Sequence, residues 1–191
     1  MGNTPTFETA RLTLRPFTGD DVDALATVFD DKEAMWDVLA IPDMPTESRA
    51  VAVHRIKESM SGWAAHDAGF WAVAIRAPDL GRVGRIIGYC GYVNPAKSAA
   101  GGYCDSVLEV GWAIHPAFQR RGPATEAMPP VLDEAFNRRR IDRLVAITDP
   151  GNRASRALIG RLGFAFDADI HAYGAAQVGY VLDQEFYLRG G

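Results

Sequence analysis

The stretch Ala113-Ile114-His115-Pro116-Ala117-Phe118-Gln119-Arg120-Arg121-Gly122-Pro123-Ala124 decides how this 191-residue chain is read. The apolar run from Val107 to Ile114 reads as a strand ending at His115-Pro116. A short loop with two arginines and a glycine follows, and from about Gly122 the pattern turns helical. A strand that hands over to a helix start aims free backbone N–H groups and the positive end of the helix dipole at one spot, which makes an anion site. Lys and Ser/Thr are missing after the glycine, so this is not a Walker loop, and it is not the Gly-x-Gly-x-x-Gly dinucleotide pattern. Gly81-Arg82-Val83-Gly84 looks superficially similar, but no helix follows it, and it reads as a turn. Pro123 donates nothing, yet proline suits a first helical position, so the site loses one donor only. Pro129-Pro130 would remove the bonds to the carbonyls of Thr125 and Glu126, which predicts a kink or break within a turn of them.

Outward from this segment, Arg11 to Phe17 alternates as a strand and a helix runs from Gly19 to about Asp30. A second helix begins at Thr46, with Val51, Val53, Ile56 and Met60 as its apolar positions and Gly62 as its stop. Phe70–Ile75 and Ile86–Val93 read as a hairpin. After the central helix come a strand from Arg143 to Thr148, a helix from about Asn152 to Leu162, and two strands near Phe164–His171 and Val178–Leu188. No repeat, linker or second domain interrupts this order, so residues 1–191 are expected to form one domain.

The composition, 48% hydrophobic and 23% charged, is that of a globular protein. No run approaches the ~18 apolar residues of a membrane span, and Glu8, Arg11 and Arg15 interrupt any signal-peptide core, so a soluble, cytoplasmic protein is expected. Cys90 and Cys104 are too few for a disulfide scaffold and read as reduced thiols, with no structural metal implied. Residues 1–60 hold eleven acids and six bases, whereas residues 119–161 hold nine arginines and five acids, so the two ends carry opposite charge. The overall acidity, with no aromatic-basic reading motif, argues against nucleic acid as a partner. Arg138-Arg139-Arg140 reads as a solvated helix end favoured by the dipole.

Four segments in order carry a family likeness: Glu8-Thr9-Ala10-Arg11-Leu12-Thr13-Leu14-Arg15-Pro16-Phe17, Glu109-Val110-Gly111-Trp112, Gln119-Arg120-Arg121-Gly122-Pro123-Ala124, and Asn152 to Leu158 ahead of Arg161-Leu162-Gly163-Phe164. Together they resemble the GCN5-related N-acetyltransferase superfamily, in particular its branch acting on ribosomal-protein N-termini, along with related small-amine acetylating enzymes. The resemblance implies an α/β (α+β) acyl-CoA N-acyltransferase fold, its mixed, mostly antiparallel sheet splayed between the Glu109 and Arg143 strands and flanked by helices. It implies acetyl-CoA as co-substrate, with the pyrophosphate on the Arg121–Thr125 amides (loop residues Gln119, Arg120, Arg121, Gly122, Pro123, Ala124, Thr125). The pantetheine would lie along the backbone of Trp112, Ala113 and Ile114, and Asn152 would touch it. The acceptor would be a protein N-terminal or small-molecule amine, and a homodimer stays open. A non-catalytic acyl-CoA-binding domain of the same fold is the alternative.

Amine attack on a thioester needs a neutral amine, a donor for the developing oxyanion and a tolerable leaving thiolate. An α-amine, with a pKa of about 7.7 to 8.0, is ~10% neutral at pH 7, whereas a lysine near 10.4 is almost wholly charged. Glu109, a carboxylate inside an apolar strand, is the candidate base, against a solvated or arginine-paired alternative. The tyrosine that some relatives use as an acid is matched by Ile159, and the carboxylate some carry on the preceding strand by Ile147. Ser155 is the remaining candidate catalytic hydroxyl, and also a candidate contact to the co-substrate; its alternative is a local helix bond. Asp149 and His115 read as turn residues. His54, His66 and His171 show no metal or triad spacing. Trp36 is a candidate pocket wall, and Trp63 reads as core.

Overall fold

The computed structural model describes residues 4–31, 45–93, 103 and 107–189. Trp36 and Cys104 lie outside them. Among the described residues eight strands form one sheet: β1 (Phe7–Glu8), β2 (Leu12–Pro16), β3 (Phe70–Ile75), β4 (Ile86–Val93), β5 (Leu108–Ile114), β6 (Arg143–Thr148), β7 (Ala165–Ala172) and β8 (Ala175–Asp183). The spatial order is β1-β2-β3-β4-β5-β6-β8-β7, and every neighbouring pair is antiparallel except β5 with β6. Among the described residues the α-helices are α1 (Val22–Ala26), α2 (Ser48–His66), α3 (Pro123–Asp133), α4 (Arg153–Arg161) and α5 (Gln184–Leu188). The sheet is apolar on both faces. Leu25 and Val28 of the α1 region, with Val51 and Ile56 of α2, pack on Phe70, Ala72, Tyr89 and Ala113. On the other face Met128, Val131 and Leu132 of α3, with Ile159 of α4, pack on Val73, Ile87, Val110 and Leu144. No helix among the described residues is long and apolar enough to cross a membrane.

Five expectations are corrected. Helix α2 continues through Gly62 to His66 and ends at Asp67, whose φ of 56° is left-handed. Gly62 is there for proximity, since a Cβ on it would lie 2.2 Å from the Ala68 carbonyl oxygen. The buried stripe of α2 is Val51, Ala52, Arg55, Ile56, Ser59 and Trp63, with Met60 exposed, so two of its inward positions are polar. The last strand stops at Asp183. Residues 184–188 turn helical because the Gln184 side chain donates to the Phe136 carbonyl at 2.6 Å and Tyr187 stacks on Phe136 at 4.9 Å.

Helix α3 also runs unbroken through Pro129-Pro130, and the departure from α geometry comes later, as a π turn over Glu134–Arg138. Thr125 and Pro129 are exposed, so water can reach the carbonyl that loses its donor there. Burial of Ala127, Met128, Val131 and Leu132 holds the path. At ~1.5 to 3 kcal/mol for each large apolar side chain, that packing offsets ~3 kcal/mol per interior proline. The arginines that follow are not uniformly solvated. Arg139 packs over the rings of Trp63 and Tyr92, at 5.2 and 5.6 Å, and pairs with the buried Glu134.

Candidate active site

Strand β5 pairs with β4 along its length, from Val93↔Glu109 to Gly88↔Ile114, but with β6 only over Leu108↔Leu144, Glu109↔Val145 and Val110↔Ala146. Beyond Val110 and Ala146 the two parallel strands part, while β6 stays paired to β8 as far as Thr148↔Val178. The sheet therefore opens between the C-terminal ends of β5 and β6. Helices α3 and α4 are the next helices to start after those two strand ends.

Backbone direction follows from one bond. His115 N–H donates to the Ile87 carbonyl at 2.7 Å, and in an antiparallel pair alternate residues turn to opposite sides. Ala113 therefore turns its backbone groups to β4, and Trp112 and Ile114 turn theirs to the opening. Of the three residues expected along a pantetheine, Ala113 has no free main-chain group to offer. The Gln119 carboxamide is engaged too, donating to the Ile114 carbonyl at 2.9 Å and tying the loop to the strand end.

The loop itself has the conformation an anion cradle needs. Arg120 and Gly122 are left-handed, with φ of 59° and 89°, and Pro123 occupies the first helical turn. The first ladder bond runs from Glu126 N–H to the Gly122 carbonyl, 3.0 Å, which leaves the earlier amides of Ala124 and Thr125 ahead of the ladder. Gly122 is favoured by its φ, which glycine adopts without strain, while a Cβ there would only nudge the tip of the Arg11 side chain, 3.3 Å away at Nη2.

The opening segment of the chain locks this loop in place. Glu126 accepts from Thr9 Oγ1 at 2.6 Å, Arg11 N at 2.7 Å and Arg11 Nε at 2.7 Å, and Arg11 Nη2 reaches the Arg121 carbonyl at 3.2 Å. Burial alone would raise the Glu126 carboxyl, but these donors hold it below the usual carboxylate range. Glu126→Ala is expected to cost roughly 1 to 3 kcal/mol in thermal unfolding, because three charge-assisted bonds are lost at once. It should also weaken acetyl-CoA affinity several-fold by calorimetric titration, since the loop loses its anchor.

At the closed end of the opening lies Glu109, on the face covered by α2. It is not solvated, and among the described residues it forms no direct ion pair. It is buried, and the Tyr173 hydroxyl donates to its Oε2. Arg55 of α2 lies nearby, sandwiched with its guanidinium carbon 5.0 Å from the Phe70 ring and 5.2 Å from the Tyr89 ring, and donating to Glu58 at 2.7 Å. Burial pushes the Glu109 carboxyl up to about 7, against the opposing pull of the Tyr173 bond and the Arg55 charge. A carboxyl poised there can take or hold a proton near neutral pH.

Across the opening, Asn152 caps α4, its side-chain oxygen accepting from Ser155 N–H at 3.0 Å. Ser155 is half-buried one turn into that helix, on the α4 side, and it is not brought against Glu109 by any hydrogen bond among the described residues. Asp149 accepts from Gly151 N–H at 2.6 Å and His115 from Ala117 N–H at 3.1 Å, both as turn residues. Ile159 is core, as is Trp63, packed edge-on to Trp71 at 4.5 Å. Tyr173 and Arg55 were not singled out in the sequence. The signals available were a Tyr-Gly pair between two strands and an arginine on the inward stripe of a helix.

A mixed sheet parted at the only parallel pair among the described residues, with two helices starting after the parted strands and a buried carboxyl at the parting, defines an acyltransferase-type fold. The chain belongs to the GNAT family of acetyltransferases, whose domain model matches residues 11–165. It is 26% identical over 132 residues to the uncharacterized protein YkkB of Bacillus subtilis, which covers 69% of this chain and 74% of that one. Among solved structures it resembles an acetyltransferase from Agrobacterium tumefaciens, with a TM-score of 0.72 and 24% identity over 95% of this chain and 96% of the other. It also resembles a ribosomal-protein-S5-alanine acetyltransferase from Vibrio fischeri, with a TM-score of 0.67 and 17% identity over 95% and 97% of the two chains.

Proposed function

We propose that this acetyltransferase moves the acetyl group of acetyl-CoA to a primary amine, either a protein N-terminal α-amine or the amine of a small molecule, by direct attack with both substrates bound. The observation that carries the reading is the parting of β5 from β6 beyond Val110 and Ala146, followed, after the loop that Gln119 ties to the end of β5, by the left-handed Gly122 and the start of α3. The residues fit acetyl-CoA. The amides of Ala124 and Thr125, with Arg120 and Arg121 beside them, suit a pyrophosphate, and the Trp112 backbone with the Ile114 N–H offers donors and an acceptor for an amide-bearing arm, the Ile114 carbonyl being taken by Gln119. Asn152 and Ser155 are assigned to the other wall, although the Asn152 side chain already serves as a cap.

When bound, acetyl-CoA supplies the reactive thioester. Glu109 then takes the proton of the incoming amine, directly or through a water, and its burial keeps that proton affinity near the working pH. An α-amine asks less of this base than a lysine does, since more of it is already neutral. The reading places the protein in the cytoplasm, where the buried free thiol of Cys90 stays reduced.

Acetyl-CoA incubated with peptides of varied N-terminal residue and a panel of small primary amines, with released thiol followed colorimetrically, tests the reading. Amine-dependent release is expected. Thermal stabilisation by acetyl-CoA without release for any amine would instead mark a non-catalytic acyl-CoA-binding domain, the reading suggested by Ile159 in the core where some relatives carry a tyrosine. A ligand at ~100 times its dissociation constant adds ~2.7 kcal/mol, so binding alone is readily seen.

A further inference from the structure

Glu109 is held from the hairpin that joins β7 to β8. Ala172 pairs with Ala175, and the two residues between them, Tyr173 and Gly174, have φ of 53° and 76°. This is a two-residue turn in which both positions are left-handed, a place that asparagine, aspartate and glycine fill at least cost. A tyrosine here is a poor turn residue, and what it gains is reach: its half-buried ring carries the hydroxyl to the buried Glu109 carboxyl. The partners lie 64 residues apart in sequence, so local folding does not account for the contact.

We propose that Tyr173 is the positioning residue of the site: its hydroxyl holds one oxygen of Glu109 from the hairpin side, which favours the carboxylate form and leaves the other oxygen to receive the amine proton. The inference rests on the Glu109 assignment above. The groups facing this carboxyl are Tyr173 from the turn, Arg55 from α2 and Tyr103, while Glu58 and Tyr89 in turn face Arg55. The hydroxyl of Tyr103 is committed to Asp167 at 2.8 Å, and Arg55 is committed to Glu58. Tyr173 is therefore the group whose removal leaves Glu109 without its hydrogen bond. Because a donor to the ionised form favours that form, losing it makes the carboxylate harder to form. Tyr173 is not placed against substrate, and its effect runs through Glu109.

Tyr173→Phe keeps the ring and the backbone and removes only the O–H. In protein labelled with 13C-glutamate, the Glu109 carboxyl resonance, assigned by its loss in Glu109→Gln, is expected to titrate roughly one pH unit higher in Tyr173→Phe than in the unaltered protein. The acid limb of kcat/KM, measured with the fastest amine of the panel above, should move by the same amount. The rate on the alkaline plateau should fall less than tenfold, and acetyl-CoA affinity should hold. Should Tyr173→Phe fold poorly, unaltered protein carrying 3-fluorotyrosine throughout, a stronger donor, is expected to show a lower Glu109 midpoint. Equal midpoints in the paired samples overturn the inference even if amines are acetylated. A shifted midpoint in a protein that acetylates no amine overturns the proposed function and leaves the Tyr173–Glu109 coupling standing.

Discussion

Glu109→Gln is expected to lower turnover roughly ten- to a thousand-fold while leaving acetyl-CoA affinity almost untouched, the range a general base contributes. The change is isosteric, and glutamine can still accept from Tyr173, so the loss reports proton transfer and not packing. With Glu109 at about 7 in the folded protein, kcat/KM of the unaltered enzyme should rise with pH through that region as the carboxylate forms. The variant should lack this limb. Ser155→Ala should cost less, because a thiolate with a pKa near 8.5 leaves tolerably well without a proton donor. Stopped assays across pH 6 to 9 at saturating acetyl-CoA decide the matter. A variant with unaltered turnover would leave catalysis to positioning and oxyanion stabilisation alone.

The same substitution should change how stability depends on pH. The Glu109 carboxyl stands at about 7 in the folded protein against an ordinary value of 4.5. An acid raised on folding contributes fully below its unfolded pKa, and the contribution is lost as pH climbs to the folded value. Between pH 4 and 8 the unaltered protein should therefore lose about 3 kcal/mol through this residue, at ~1.4 kcal/mol per pKa unit. Glutamine does not ionise. Glu109→Gln should match or fall slightly below the unaltered protein in urea unfolding at pH 4.5 and exceed it by a few kcal/mol at pH 8. A stability difference constant over that interval would show that Glu109 ionises in the folded chain as it does in water. Activity traded against stability at one buried group is what a functional carboxylate, as opposed to a structural one, should display.

How much of this was legible depended on whether the cause was local. Strands β3, β4 and β6 appear at the residues read from sequence, because each is an apolar run bounded by glycine, proline or charge. The loop from Gln119 to Gly122 was legible for the same reason, since a strand end, a glycine and a proline at a helix start are neighbours in the chain. Gly62 was misread because its requirement comes from Ala68 folding back on it, and Pro129-Pro130 because the helix is held by packing that the prolines do not disturb. The helix at residues 184–188 looked like strand for its aromatic content and is set by contacts with Phe136. Glu109 was visible as a charge in an apolar strand, but its surroundings were not. Arg55 reads on a helical wheel as a stray polar residue, and Tyr173 comes from a turn far along the chain. Which backbone groups of Trp112, Ala113 and Ile114 face the opening required the pairing register of β5.

The most direct test of the account is a mass measurement. Protein incubated with acetyl-CoA labelled with 13C in the acetyl group, together with an amine from the panel, should yield that amine carrying the labelled acetyl group in proportion to the CoA released. The rate should fall by the factor predicted above in Glu109→Gln. CoA released with no labelled amine, or labelled amine formed equally fast by Glu109→Gln, would contradict it.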